Sequence, residues 1–88
     1  MTTREQTANP RPYVVAGMWG GIVQWDLSAP GTGRPIFDLL DFDREGEDDA
    51  ERLEWIEYAD EVTTRMREHG LDATDTEQAI NRMRPGQP

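Results

Sequence analysis

The 88-residue sequence predicts a single α+β domain, in which a small antiparallel sheet of two or three strands packs on one main helix. Three observations support this fold class. Short runs rich in β-branched and aromatic residues, bounded by glycine and proline, occupy the first half of the chain. A longer segment in the second half repeats its apolar residues at helical spacing and ends at a glycine. A shorter segment near the end of the sequence predicts a C-terminal helix.

The first predicted strand covers residues 13–19 and the second covers residues 22–27, with Gly20 and Gly21 between them. Two interpretations of this glycine pair fit the sequence. It is either a two-residue hairpin turn, since both glycines accept positive φ, or a bulge in one long bent strand. After a loop rich in proline and glycine, residues 35–42 form the third predicted strand. This strand mixes apolar residues with acids, so one of its faces is expected to be buried.

The main helix is predicted to start near Asp48 or Asp49 and to run to about His69, before Gly70. Acids at its start complement the positive end of the helix and accept hydrogen bonds from free N–H groups. Its apolar stripe consists of Trp55, Ile56, Tyr58, Ala59, Val62 and Met66. The short C-terminal helix is predicted over residues 75–83.

The ends of the chain are polar and contain prolines, which favour extended, unpaired backbone. We therefore expect a flexible arm over residues 1–12, one folded domain over residues 13–84 and a flexible tail over residues 85–88. The first residues lack the apolar segment of a signal peptide, and no apolar run approaches the roughly 20 residues of a membrane span. These features predict a cytoplasmic protein that does not bind membranes.

The composition argues against most catalytic chemistry. The sequence has no cysteine, which excludes disulfides and thiolate sites, and its only histidine is His69. Its only serine, Ser28, lies in a predicted loop without the surroundings of a nucleophile. We expect neither an enzyme nor a cofactor.

Negative charge is concentrated in one part of the sequence. The whole chain has a net charge of −9, and all nine of its basic residues are arginine. Residues 38–61 hold twelve of the eighteen acids and only two arginines, which gives this window a net charge of −10. Such a window attracts basic protein surfaces, whereas it disfavours direct contact with nucleic acid or anionic membranes. The alternative interpretation is a solvated helix face that only keeps the protein soluble.

Residues 41–52 partly match a calcium-binding EF-hand loop, with acids at four ligand positions and Gly46 at the sixth position. The four acids are Asp41, Asp43, Glu45 and Asp49. Arg52 replaces the bidentate acid that ends such a loop, and a strand rather than a helix precedes it. We therefore expect an acidic turn that leads into the main helix, with divalent-cation binding as an alternative.

Trp19 and Trp25 lie six residues apart in the strand region. Core packing is the default interpretation of such residues, whereas an exposed pair would mark a protein-binding hot spot. Homo-oligomerisation through these strands, most simply as a homodimer, is therefore an alternative function.

Two short segments carry a resemblance to other proteins. They are Gly-Gly-Ile-Val-Gln at residues 20–24 and Leu-Asp-Phe-Asp at residues 40–43. With these segments, about residues 13–50 resemble a loose group of small bacterial and phage accessory proteins. The resemblance implies a cytosolic, phage-derived context, in which small acidic domains inhibit host defence, including as anti-CRISPR and anti-restriction proteins that imitate the charge of DNA. It implies no functional residues.

The sequence thus predicts an acidic protein-binding inhibitor of a host nucleic-acid-handling or defence complex, of the anti-CRISPR or anti-restriction type, with DNA mimicry. Its partner is expected to be a protein with a basic surface, such as a nuclease or a CRISPR effector. The predicted contact residues are Trp19, Trp25, Asp41, Asp43, Glu45, Glu47, Asp48, Asp49, Glu51, Glu54, Glu57 and Glu61. The alternatives are a homo-oligomerising structural or regulatory module of a mobile element and a divalent-cation-binding accessory protein.

Overall fold

The computed structural model describes residues 10–86, which form three strands and two helices. These elements are β1 (Tyr13–Trp19), β2 (Ile22–Ala29), β3 (Ile36–Asp41), α1 (Asp49–Glu68) and α2 (Thr74–Met83). The predicted α+β class is confirmed: a small sheet packs on one main helix, and a short C-terminal helix follows. The flexible ends predicted for residues 1–9 and 87–88 lie outside the described residues.

The sheet is mixed rather than wholly antiparallel. Its strand order is β2-β1-β3, and β1 pairs with β2 in antiparallel fashion, as predicted. The third strand corrects the prediction, because β3 lies on the other side of β1 and runs parallel to it. After β2, the chain crosses to the opposite edge of the sheet before it re-enters, and this crossing gives β3 the direction of β1.

The crossing loop rests on the residues that precede β1. The N–H of Thr32 donates to the carbonyl of Pro10 at 3.0 Å, and the N–H of Ile36 donates to the carbonyl of Pro12 at 2.8 Å. A Cβ atom on Gly31 would overlap the backbone of residues 10–12. The loop and this segment can therefore approach closely only because residue 31 is glycine. Residues 10–12 therefore differ from the expected flexible arm: the proline carbonyls accept hydrogen bonds from the loop.

The β1–β2 connection is the hairpin turn of the two predicted alternatives. Gly20 and Gly21 have φ values of 59° and 79°, which a two-residue turn with both central residues at positive φ requires. A bulge is also present, but at a different place. The pairing shifts between Gly17 and Met18, which leaves Gln24 as the extra residue of β2.

The core lies between one face of the sheet and the two helices. Its largest fully buried side chains are Tyr13, Val15, Leu40, Val62, Met66 and Ile80. The apolar stripe predicted for the main helix is buried as expected, except that Tyr58 is half-buried. Over residues 10–86, neither helix combines the length and the apolar character needed to cross a membrane.

Candidate acidic protein-binding surface

Among residues 10–86, ion pairs engage three of the twelve acids of residues 38–61. These pairs are Asp38 with Arg65, Glu47 with Arg44 and Arg52, and Asp60 with Arg84. Within residues 10–86, no arginine forms an ion pair with any of the other nine acids. The structure therefore separates this acidic window into acids that hold the fold together and acids that remain available on the surface.

Asp38 belongs to the interior and not to the acidic surface. It lies on β3, faces α1 and is only 6% exposed. Its carboxylate accepts hydrogen bonds from the hydroxyls of Tyr13 (2.8 Å) and Tyr58 (3.1 Å). It also accepts two from Arg65, through Nε (2.8 Å) and Nη2 (3.2 Å). Four donors thus satisfy a carboxylate that would otherwise be costly to bury.

The environment of Asp38 shifts the acid–base behaviour of the whole cluster. Burial opposes ionisation of Asp38, but hydrogen bonds from Arg65, Tyr13 and Tyr58 outweigh it and hold the pKa of this carboxyl below its usual value. Burial raises the pKa of both tyrosines, and the neighbouring Asp38 carboxylate adds to the effect. The cluster is a hydrogen-bonded ion pair that connects β3 to α1.

The spacing of residues in the sequence did not indicate the ion pair between Asp38 and Arg65. Glu61 and Arg65 are four residues apart on α1, a spacing that favours a surface ion pair. Arg65 instead reaches Asp38, 27 residues earlier in the sequence, and leaves Glu61 exposed. The single available signal was an acid in the middle of the strand, between apolar neighbours on both sides.

Three of the predicted contact residues have local structural roles at the entrance to α1. The carboxylate of Asp48 accepts a hydrogen bond from the N–H of Glu51 at 2.8 Å, and the carboxylate of Glu51 accepts one from the N–H of Asp48 at 3.1 Å. This is a capping box, which satisfies the free N–H groups at the helix start. Asp41 accepts a hydrogen bond from the N–H of Asp43 at 3.0 Å and thereby shapes the preceding turn.

Glu47 is also engaged within the molecule. Arg44 donates two hydrogen bonds to its carboxylate, and Arg52 lies nearby. The hydrogen bond from Arg44 lowers the pKa of Glu47. The guanidinium of Arg44 also lies 5.5 Å from the ring centroid of Trp55, a cation–π contact. Glu47 therefore anchors the acidic turn and is not a free surface acid.

The remaining acids form a continuous feature on α1. Glu54, Glu57 and Glu61 are all exposed and lie three and four residues apart, so they share the helix face opposite the buried stripe. Glu68, seven residues beyond Glu61, continues the same face and lies outside the window that the sequence singled out. We call these four glutamates the acidic ridge. Asp43, Glu45 and Asp49 are exposed before and at the start of the helix.

The four candidate calcium ligands are not brought together. Among residues 10–86, no group of three or more acidic or histidine side chains is arranged to hold a metal ion. Asp41 is half-buried and its carboxylate accepts a hydrogen bond from the N–H of Asp43, whereas the side chains of Asp43, Glu45 and Asp49 are exposed. Gly46 adopts a positive φ of 86° between them, so the segment is a tight acidic turn.

The two tryptophans predicted to contact a partner, Trp19 and Trp25, do not form an exposed pair. Trp19, at the end of β1, is half exposed and stacks on Phe42 with ring centroids 5.4 Å apart. Trp25 is half-buried and lies directly over Gly17, where any side chain would overlap its indole. Trp25 also lines an open cleft of about 500 Å³. Leu27, Phe42, Leu71, Asp72 and Asp75 are among its other lining residues.

The comparisons with known proteins add no relative. No protein-family model, curated protein or solved structure matches this chain. The resemblance of residues 13–50 to small phage and bacterial proteins therefore stays a prediction.

Proposed function

We propose that this protein is an acidic protein-binding inhibitor that places its acidic ridge against the basic surface of a nucleic-acid-handling or defence complex. The observation that carries the proposal is the ridge itself: four exposed glutamates on one helix face, none of them paired with an arginine of residues 10–86. The proposed partner is a nuclease or a CRISPR effector in the same cytoplasm. The protein acts by occupying a surface, without catalysis or a cofactor.

The uncompensated repulsion along the ridge supports this proposal. Glu57 and Glu61 are four residues apart on one helix, a like-charge arrangement that costs a few tenths of a kcal/mol. Two arginines lie nearby on α1, but Arg65 binds Asp38 and Arg67 binds Glu77. A bound basic surface would supply the missing positive charge.

The spacing of the ridge supports the more specific proposal of DNA mimicry. Successive carboxylates from Glu54 to Glu61 are about 5 Å apart along the helix axis, since each residue rises about 1.5 Å. The phosphates of one DNA strand follow one another at about 3.4 Å along the duplex axis. From Glu54 to Glu61 the ridge therefore has about two thirds of the linear charge density of one DNA strand, and over its full length to Glu68 about half. A groove that binds phosphates is a fitting receptor for such a row of carboxylates.

Electrostatic attraction of this kind mainly accelerates association and selects partners with complementary charge. It also weakens with salt, because counterions screen exposed charges beyond about 10 Å at 0.1 M salt. Salt-dependent inhibition is consequently the property that most directly tests the proposal.

The test measures DNA cleavage by a purified CRISPR effector nuclease and by a purified restriction endonuclease, with and without the protein. The protein is expected to slow at least one of them at about 0.05 M salt and to lose this effect near 0.5 M salt. The double variant Glu57→Gln/Glu61→Gln should weaken inhibition at least tenfold. Both residues are exposed and have no hydrogen-bonded partner among residues 10–86, so the fold should persist.

A matched control removes the same amount of charge elsewhere. Asp26 on β2 and Asp75 on α2 are exposed, so Asp26→Asn/Asp75→Asn also removes two negative charges. This control should inhibit nearly as well as the unmodified protein. Equal weakening by both double variants would show that only net charge matters, and the absence of inhibition and binding at low salt would overturn the proposal.

A further inference from the structure

The sheet has a second face, which the helices do not cover. Residues paired across neighbouring strands share a face, so the strand register identifies the members of this one. Six of its nine positions are apolar: Val14, Ala16, Met18, Val23, Phe37 and Leu39. We call these six residues the open face, in which Ala16 is buried and Val14 and Met18 are half-buried. Phe37 is 60% exposed, Val23 53% and Leu39 37%, so large apolar side chains face solvent on both outer strands.

Neither the two described helices nor the composition of residues 1–9 supplies an apolar cover for this face. Both described helices pack against the opposite side of the sheet, where α1 buries Trp55, Ile56 and Met66. Residues 1–9 contain only Met1 and Ala8 as apolar residues, so their composition supplies too little apolar surface. The largest apolar patch on a monomer typically covers about 300–600 Å² and is often functional.

We propose that a second copy of this chain docks on the open face, so that two sheets stack face to face around a two-fold axis. Charge favours this occupant over the basic partner of the acidic ridge. The charged members of the face are Asp26 and Asp41, both on outer strands, and the middle strand contributes only Val14, Ala16 and Met18. Because both acids lie on the outer strands, the middle of the face is apolar and complementary to itself, and a two-fold axis requires that self-complementarity.

The strong negative charge of each copy does not prevent this dimer. The acidic ridge lies on the far side of α1 from the sheet, so two stacked copies direct their ridges away from each other. Stacked sheets lie about 10 Å apart, and each helix layer lies about 10 Å beyond its sheet, which separates the two helices by about 30 Å. That distance exceeds the screening length of about 8 Å at physiological salt.

The size of the face predicts a weak dimer. Three strands about 4.8 Å apart and six residues long present a footprint of roughly 300 Å². A stable interface buries about 800 Å² on each partner, so this contact belongs with small, transient interfaces. The dimer is therefore expected at high micromolar concentration and not as a permanent assembly.

Sedimentation velocity of the whole protein, from about 10 μM to about 1 mM, tests the proposal in the range where such interfaces associate. The sedimentation coefficient should rise with concentration. Phe37→Glu should weaken dimerisation at least tenfold, and Val23→Glu, on the other outer strand, should do the same. Leu53→Glu is the matched control, because Leu53 on α1 is 52% exposed but lies away from the sheet.

A monomer at every concentration would overturn the proposal, as would equal weakening by Leu53→Glu. Amide hydrogen exchange distinguishes face stacking from pairing of sheet edges. The outward N–H groups of β2 and β3 should remain exchangeable in the dimer, and their protection would contradict face-to-face stacking. The Glu57→Gln/Glu61→Gln variant should dimerise normally, so this inference and the proposed inhibition succeed or fail separately.

Discussion

Arg65 on α1 holds Asp38 on β3 through two hydrogen bonds, of 2.8 Å from Nε and 3.2 Å from Nη2. Tyr58, two helical turns earlier, binds the same carboxylate from the same flank of the helix. These contacts fix the rotation of α1 on the sheet. The acidic ridge lies on the solvent side of that flank, so the buried ion pair also determines where the surface acids point.

Removing Arg65 should destabilise the protein much more than removing Arg67. Arg65→Met leaves the Asp38 carboxylate buried without its positive partner, and we expect a loss of about 2–3 kcal/mol, at the low end for buried pairs because Arg65 is a third exposed. Arg67→Met breaks an ion pair with Glu77 in which both side chains are half exposed, and it should cost under about 1 kcal/mol. Urea unfolding of both variants measures the difference. Equal losses would show that the Asp38 cluster does not stabilise the fold.

The same cluster predicts how stability depends on acid. The pKa of Asp38 is lowered in the folded protein, so below about pH 4 the unfolded chain binds more protons and stability falls as pH falls. Above about pH 4, the ionised Asp38 carboxylate makes its full contribution to the free energy of unfolding. Asp38→Asn should therefore give a flatter curve of unfolding free energy between about pH 4 and pH 2. Parallel curves for the variant and the unmodified protein would refute this assignment.

The two tyrosines of the sequence, Tyr13 and Tyr58, both donate to Asp38. Since burial beside this carboxylate raises the pKa of each, the folded protein should show little tyrosinate near pH 10, where an exposed tyrosine is half ionised. The unfolded chain ionises there, so stability falls as pH rises above about 10. Ultraviolet absorbance followed with pH should show tyrosinate appearing together with unfolding. Ionisation near pH 10 in protein that is still folded would contradict the cluster.

Neighbouring acids at the start of α1 should differ in importance. Asp48→Ala removes the helix cap and should cost about 1 kcal/mol. Asp49→Ala removes the same charge one residue later, where the side chain is exposed and does not cap the helix, and should cost a few tenths of a kcal/mol. Thermal unfolding compares them. If Asp48→Ala is the more destabilising change, weaker partner binding by Asp48 variants would reflect loss of helix stability as well as loss of surface charge. Substitutions in the acidic ridge change only the surface charge and are therefore better suited to binding tests.

The sequence by itself determined the local structure. Runs of β-branched and aromatic residues and an apolar helical stripe ending at Gly70 predicted the strands and the main helix within one or two residues, whereas the Gly-Gly pair left a hairpin turn and a bulge both open. The acidic window also contained three of the four ridge glutamates. These features depend on contacts between residues close in sequence, which is why spacing and residue type reveal them.

Only the tertiary structure decided which acids remain on the surface. Asp38 looked like the other acids in its window, but it pairs with a residue 27 positions away. The parallel direction of β3 depends on a loop that crosses the sheet end, and the open face depends on which side the helices cover. Such contacts join distant parts of the chain, so local spacing does not reveal them. The same burial that makes Asp38 a structural residue leaves Glu54, Glu57 and Glu61 as the accessible charge of this protein.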